Sequence, residues 1–215
     1  MRAGRRTALV LALTTTVIVS TGLSAHRRDE YLQAARLAVE PGRVELELDL
    51  TPGIAVADAI IADIDRDRDG SLSADEKRVY VGRVLDAIRL HIDGQTLDMG
   101  PIGSTFPDLD AFRRGEGTIR LQSAVVLPRL SDGDHQLLFR NVHRPDVSVY
   151  LANVLVPRSD RIAVTAQSRD ADQHDLTIDY VIRTQPATST RVWLLGGIAG
   201  AAVLMALRMR PSKET

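Results

Sequence analysis

The sequence predicts a mainly β domain, a β-sandwich of short strands interrupted once by a helix–loop–helix. Three observations predict it. Apolar residues alternate with polar ones at period two over much of the chain, turn dipeptides separate these runs, and residues 54–90 alone switch to helical spacing. The clearest alternating run is Val44-Glu45-Leu46-Glu47-Leu48-Asp49-Leu50, which places every apolar side chain on one face.

Further strands are expected over Tyr31–Val39, Thr118–Leu127, His135–Val142, Val147–Val156, Arg161–Gln167 and Leu176–Ile182. Pro41-Gly42, Asp93-Gly94, Asp132-Gly133 and Pro145-Asp146 supply the turns between elements. Many short strands with such turns read as a sandwich. Helices are expected over Ala57–Ile64, with Ile60, Ile61 and Ile64 on its apolar face, and over Ala74–Ile88, with Tyr80, Val84, Ala87 and Ile88. No internal repeat is visible. The domain so defined runs from 26 to 188, with the helical insertion after its second strand.

Both ends carry apolar segments. Arg2, Arg5 and Arg6 precede an apolar stretch, Ala8–Val19, and a small-residue region, Gly22-Leu23-Ser24-Ala25. This order predicts a signal peptide over 1–25, cut after Ala25. Val192–Leu207 holds no charge over sixteen residues. At a rise of 1.5 Å per residue it spans roughly 24 Å, slightly under the ~30 Å hydrocarbon core, and Trp193, Arg191 and Arg208 extend it into the interfaces. A transmembrane helix is therefore expected at 192–207. Arg208, Arg210 and Lys213 place the tail 208–215 in the cytoplasm and the domain in the periplasm or outside the cell. Gly196-x-x-x-Gly200 offers a small-residue face for a helix–helix partner in the membrane.

Charge and composition exclude several function classes. With the terminal segments set aside, residues 26–190 hold 20 basic against 27 acidic residues, a net of −7. An acidic domain favours cations and lacks the basic footprint that nucleic acid requires. The chain has no Cys, which excludes disulfides, thiolate metal sites and a Cys nucleophile. No Gly-x-Ser-x-Gly, P-loop or His-Glu-x-x-His occurs, so a non-catalytic protein is expected.

The acidic run between the two helices has metal-ligand spacing. Calcium takes six to eight oxygens, and a twelve-residue loop supplies them from alternating positions. Asp65, Asp67 and Asp69 stand at positions 1, 3 and 5, and Gly70 at the sharp turn of position 6. Ser71 offers its carbonyl at position 7, Leu72 packs inward at 8, Ser73 acts directly or through water at 9, and Glu76 gives two oxygens at 12. Arg66 and Arg68 fall between ligands and are expected to point outward. A frame beginning at Asp63 fails, because it puts Arg68 at the glycine position and Ala74 at the glutamate position. Ser73 and Glu76 also read as a capping box at the start of the second helix, a role compatible with ligation.

On these residues the segment resembles the EF-hand family over about 30 residues. The resemblance implies one Ca²⁺ held by Asp65, Asp67, Asp69, Ser71, Ser73 and Glu76. A lone hand is expected to bind at about 10⁻⁴–10⁻³ M, as extracellular modules do.

A wider similarity rests on Ala25–Gln33, on Leu48-Asp49-Leu50-Thr51-Pro52-Gly53, and on Val142-His143-Arg144-Pro145 with Ser148-Val149-Tyr150-Leu151. These stretches resemble the periplasmic N-terminal region of bacterial HupE/UreJ-type membrane proteins, a group associated with nickel handling. The resemblance covers most of 25–185, and a single apolar segment follows where that family has a multi-helix membrane portion. It implies an alternative function, a periplasmic Ni or Cu accessory module with a purely structural EF-hand. Cleavage after Ala25 makes His26 the first residue, whose amine and imidazole can chelate either metal, with His143, His135, His91 and His174 as candidate partners.

Overall fold

The computed structural model describes residues 29–184. The signal peptide, His26, the transmembrane helix and the cytoplasmic tail expected from the sequence lie outside the described residues. Among the described residues no helix is long and apolar enough to cross a membrane.

The described chain is mainly β. Its strands are β1 (Tyr31–Glu40), β2 (Arg43–Pro52), β3 (Ile88–Ile92), β4 (Gln95–Leu97), β5 (Gly100–Thr105), β6 (Ile119–Val126), β7 (Gly133–Asn141), β8 (Ser148–Val154), β9 (Ile162–Arg169) and β10 (Asp175–Ile182). Helices α1 (Ile54–Ile64) and α2 (Ala74–Asp86) follow β2, and a short α3 (Leu109–Arg113) precedes β6. One five-stranded sheet has the order β5-β6-β2-β1-β8 and the other β4-β3-β7-β10-β9. Pairing is antiparallel except between β1 and β8, which run parallel with Tyr31 opposite Ser148.

The alternation seen in the sequence sets which face is buried. In β2, Val44, Leu46, Leu48 and Leu50 are buried, and in β10 Leu176, Ile178, Tyr180 and Ile182 are. These residues join those of the facing sheet in a single hydrophobic cluster. Ile60, Ile61 and Ile64 of α1 and Tyr80, Val81 and Val84 of α2 belong to that cluster too. Burying each such aliphatic side chain stabilises the fold by about 1.5–3 kcal/mol. The two helices are thereby anchored to the sheets along their apolar faces.

Two expectations are corrected. The second helix stops at Asp86, and Ile88 begins a strand in which Ile88, Leu90 and Ile92 are buried at period two. The i, i+4 match of Val84 with Ile88 suggested continuation, but pairing of Ile88–Ile92 with β7 satisfies the backbone instead. The second correction concerns residues 95–113, where no element was expected. They form β4, β5 and α3; β5 is almost wholly exposed and rich in Gly and Pro, so it carries no hydrophobic signature.

A polar seam crosses the core beside α2. The hydroxyls of Tyr31 and Tyr80 lie 2.6 Å apart, and Tyr80 Oη is 3.3 Å from His143 Nε2. Gln33 Nε2 donates to the His143 carbonyl at 2.6 Å, and Asn141 Nδ2 donates to Gln33 Oε1 at 2.9 Å. Buried polar groups are tolerable only when partnered. Tyr80→Phe strands the Tyr31 hydroxyl, which is fully buried. A loss of about 1–3 kcal/mol in urea denaturation is expected, and an unchanged midpoint would show that the seam contributes nothing.

Candidate metal centre

The loop between α1 and α2 is built by its own acids. Asp65 caps the C-terminal end of α1, its N–H donating to the Ile61 carbonyl at 2.8 Å. Its Oδ2 accepts from the Gly70 N–H at 3.1 Å, which folds the loop back over the carboxylate. Asp67 Oδ1 accepts from the Asp69 N–H at 3.2 Å. Arg68 and Gly70 both take left-handed backbone, at φ +58° and +80°. At Gly70 this conformation is why the residue is glycine, since no neighbouring atom lies within 4 Å of where a Cβ would sit.

At the far end, Ser73 caps α2. Its Oγ accepts from the Glu76 N–H at 3.3 Å while Glu76 Oε2 accepts from the Ser73 N–H at 2.9 Å and from Ser73 Oγ at 2.7 Å. Asp75 and Glu76 in the first turn and Arg83 in the last complement the helix dipole. Glu76 Oε1 accepts from the Arg66 N–H at 2.7 Å, so residue 76 reaches back across the loop to its start. Hydrogen bonds from Ser73, then from the Arg66 and Asp67 backbones, pull the Glu76 pKa down to about 2. The carboxylate is therefore charged at any ordinary pH.

Asp65, Asp67 and Glu76 come together, with one oxygen from each lying within 4.8 Å of the others. At that spacing the three carboxylates can share one metal ion. Asp65 is only 6% exposed, and its Oδ1 is buried with no hydrogen-bond partner. A buried carboxylate oxygen without a donor is costly unless a cation takes the donor's place.

The other ligands expected from the sequence make hydrogen bonds within the loop. Asp69 stands outside the trio, its Oδ1 accepting from the Ser71 N–H and Oγ, both at 2.8 Å. Ser73 is engaged with Glu76 as a cap. Leu72 is partly buried against the core, and Arg66 and Arg68 are exposed, as position in the loop required.

Histidines do not contribute to the trio, which is the one such cluster among the described residues. His135 Nδ1 meets Asp93 Oδ2 at 2.7 Å and its Nε2 meets the Ser131 carbonyl at 2.8 Å. Facing two acceptors, the imidazole is held by carrying both protons. Partial burial lowers its pKa, but the bonds to Asp93 and Ser131 outweigh this and the net shift is upward. His143 is the opposite case. Burial, with Arg144 and Arg83 nearby, pushes its pKa down to about 4. His91 Nδ1 lies 3.1 Å from Thr96 Oγ1, and the His174 ring lies 4.5 Å from that of Tyr150.

Sequence reading missed what holds the loop from outside. The Asp63 carboxylate forms an ion pair with Arg144, and the Asp63 carbonyl accepts from Arg83. The pairs Asp63–Arg144 and Tyr31–Tyr80 join residues far apart in the chain, and neither has a local signature.

Neither family models nor characterised proteins provide a match to this chain.

Proposed function

We propose that this chain is a membrane-tethered, non-catalytic, extracytoplasmic calcium-binding protein that uses a single EF-hand, residues 65–76, carried by a β-sandwich. The observation that carries the reading is the buried, unpartnered Asp65 Oδ1 beside the carboxylates of Asp67 and Glu76. Three anionic groups converge at calcium spacing, and one of them lacks the donor that burial demands. Asp69, Ser71 and Ser73 complete the sphere on metal entry, a role compatible with the Ser73 cap and with the engagement of Asp69 Oδ1 by Ser71. Tethering rests on the apolar segment Val192–Leu207 and the cations after it.

Calcium titration of the full-length chain in detergent, followed by calorimetry, tests the reading. One ion per chain is expected, with a Kd of about 10⁻⁴–10⁻³ M. Absence of saturable heat across that range would refute it.

A further inference from the structure

Asp63, two residues before the first ligand, is fastened to a part of the fold far away in sequence. Asp63 lies one residue before Ile64 and two before Asp65. Its carboxylate pairs with Arg144, in the turn between β7 and β8, and its carbonyl accepts from Arg83 in the last turn of α2. The same turn holds α2 as well. The Val142 N–H donates to the Ala87 carbonyl at 3.1 Å, and His143 Nε2 meets Tyr80 Oη at 3.3 Å. It is fixed in turn to the first sheet, because the His143 carbonyl accepts from Gln33 Nε2, Ser148 Oγ and Tyr150 Oη at 2.6, 3.1 and 2.8 Å.

Arg144 itself sits at φ +52°, a left-handed backbone that costs a non-glycine residue energy and that glycine adopts freely. Its guanidinium bridges Asp63 and Asp146, with Nε 3.3 Å from Asp146 Oδ1, and its side chain is only 26% exposed.

We infer that Arg144 is a positioning residue for calcium: through Asp63 it fixes the end of α1, so that Asp65 is set in the ligating position before the ion arrives. This rests on the calcium reading above. A ligand held in place loses less conformational freedom on binding, so its preorganisation appears as affinity.

The test uses the full-length chain in detergent with Ca²⁺ as titrant. Wild type is compared with Arg144→Ala, Asp63→Asn, the double variant and Arg144→Lys. Positioning predicts that both single variants raise Kd about threefold to tenfold. The double variant then binds no worse than the weaker single, and lysine, which keeps the charge but not the fork, recovers part of the loss. A purely electrostatic influence predicts opposite signs. Deleting the Arg144 cation beside an anionic loop would tighten binding, and deleting the Asp63 anion would weaken it. Opposite signs, or wild-type affinity in both singles, overturns the inference and leaves the calcium reading standing. A wild type that takes up no calcium overturns both. Should Arg144→Ala fail to fold by circular dichroism, Arg144→Lys decides the matter, since it keeps the charge and loses the fork: weaker binding supports positioning, and wild-type affinity overturns it.

Discussion

Saturating calcium raises the melting temperature of the full-length chain by roughly 5–10 °C, and Glu76→Gln abolishes the rise. The size follows from linkage. An ion present at a hundredfold excess over Kd and bound only to the folded state adds about 2.7 kcal/mol. For a domain of this length each kcal/mol moves the midpoint by about 2–4 °C. Without the ion, Asp65, Asp67 and Glu76 crowd their charges into one small volume and leave Asp65 Oδ1 without a partner, and binding relieves both. Glu76 is the position to substitute because it spans the loop, its two oxygens reaching Arg66 at one end and Ser73 at the other. The amide of glutamine keeps the length but removes the charge and one anionic oxygen. The same experiment reports on switching. The apolar faces of α1 and α2 lie in the common core, with Ile60, Ile64 and Val84 fully buried. An apolar dye should therefore bind equally with and without calcium. A calcium-dependent increase in dye fluorescence would show that the helices part, and the module would then be a sensor.

Stability should peak near pH 6.5, and most of its acid-side loss should disappear in His143→Gln. In the unfolded chain a histidine titrates near 6.5. His143 is held down at about 4 by burial and by the Arg144 and Arg83 charges, against the opposing pull of Asp63 and Asp146. A depressed histidine stabilises the fold above its unfolded pKa. That contribution is lost as the pH falls from 6.5 to about 4, where the buried ring must take a proton. Each pH unit across this window carries about 1.4 kcal/mol, so the loss reaches about 3 kcal/mol. His135 acts on the other side. Its pKa is raised, so its contribution is complete below 6.5 and is lost as the pH rises through the folded value. Glu76, Asp93 and Asp146 have lowered pKa values and release their share only at pH below the usual carboxylate range. Urea denaturation across the pH range reads all of this. A wild-type curve that is flat between pH about 6.5 and about 4 would sink the assignment to His143.

The acidic loop was legible because it is local. Asp65, Asp67, Gly70 and Glu76 lie within twelve residues, and the backbone geometry of such a loop follows from its own Asx contacts and one glycine. Asp69 shows the limit of this. Spacing assigns it to the sphere, while its Oδ1 accepts from the N–H and hydroxyl of Ser71. The strands were legible for a related reason. Residues such as Val44, Leu46, Leu48 and Leu50 declare a buried face wherever their partner lies. Strands without such a face, β4 and β5, left no trace in the sequence, and the close of α2 went unread because Ile88 suits a helix face and a strand face equally.

The sequence by itself determined the mainly β class, the place of the two helices and the twelve-residue acidic loop, because period-two burial and ligand spacing are properties of neighbours along the chain. Tertiary structure alone decided the parallel pairing of β1 with β8, the burial of His143 and the seating of Asp63 under Arg144. Those features depend on residues far apart in the chain, 63 positions for Tyr80 and His143 and 81 for Asp63 and Arg144. Their meeting is a consequence of how two sheets close on one core, which brings residues distant in the chain within reach of one another.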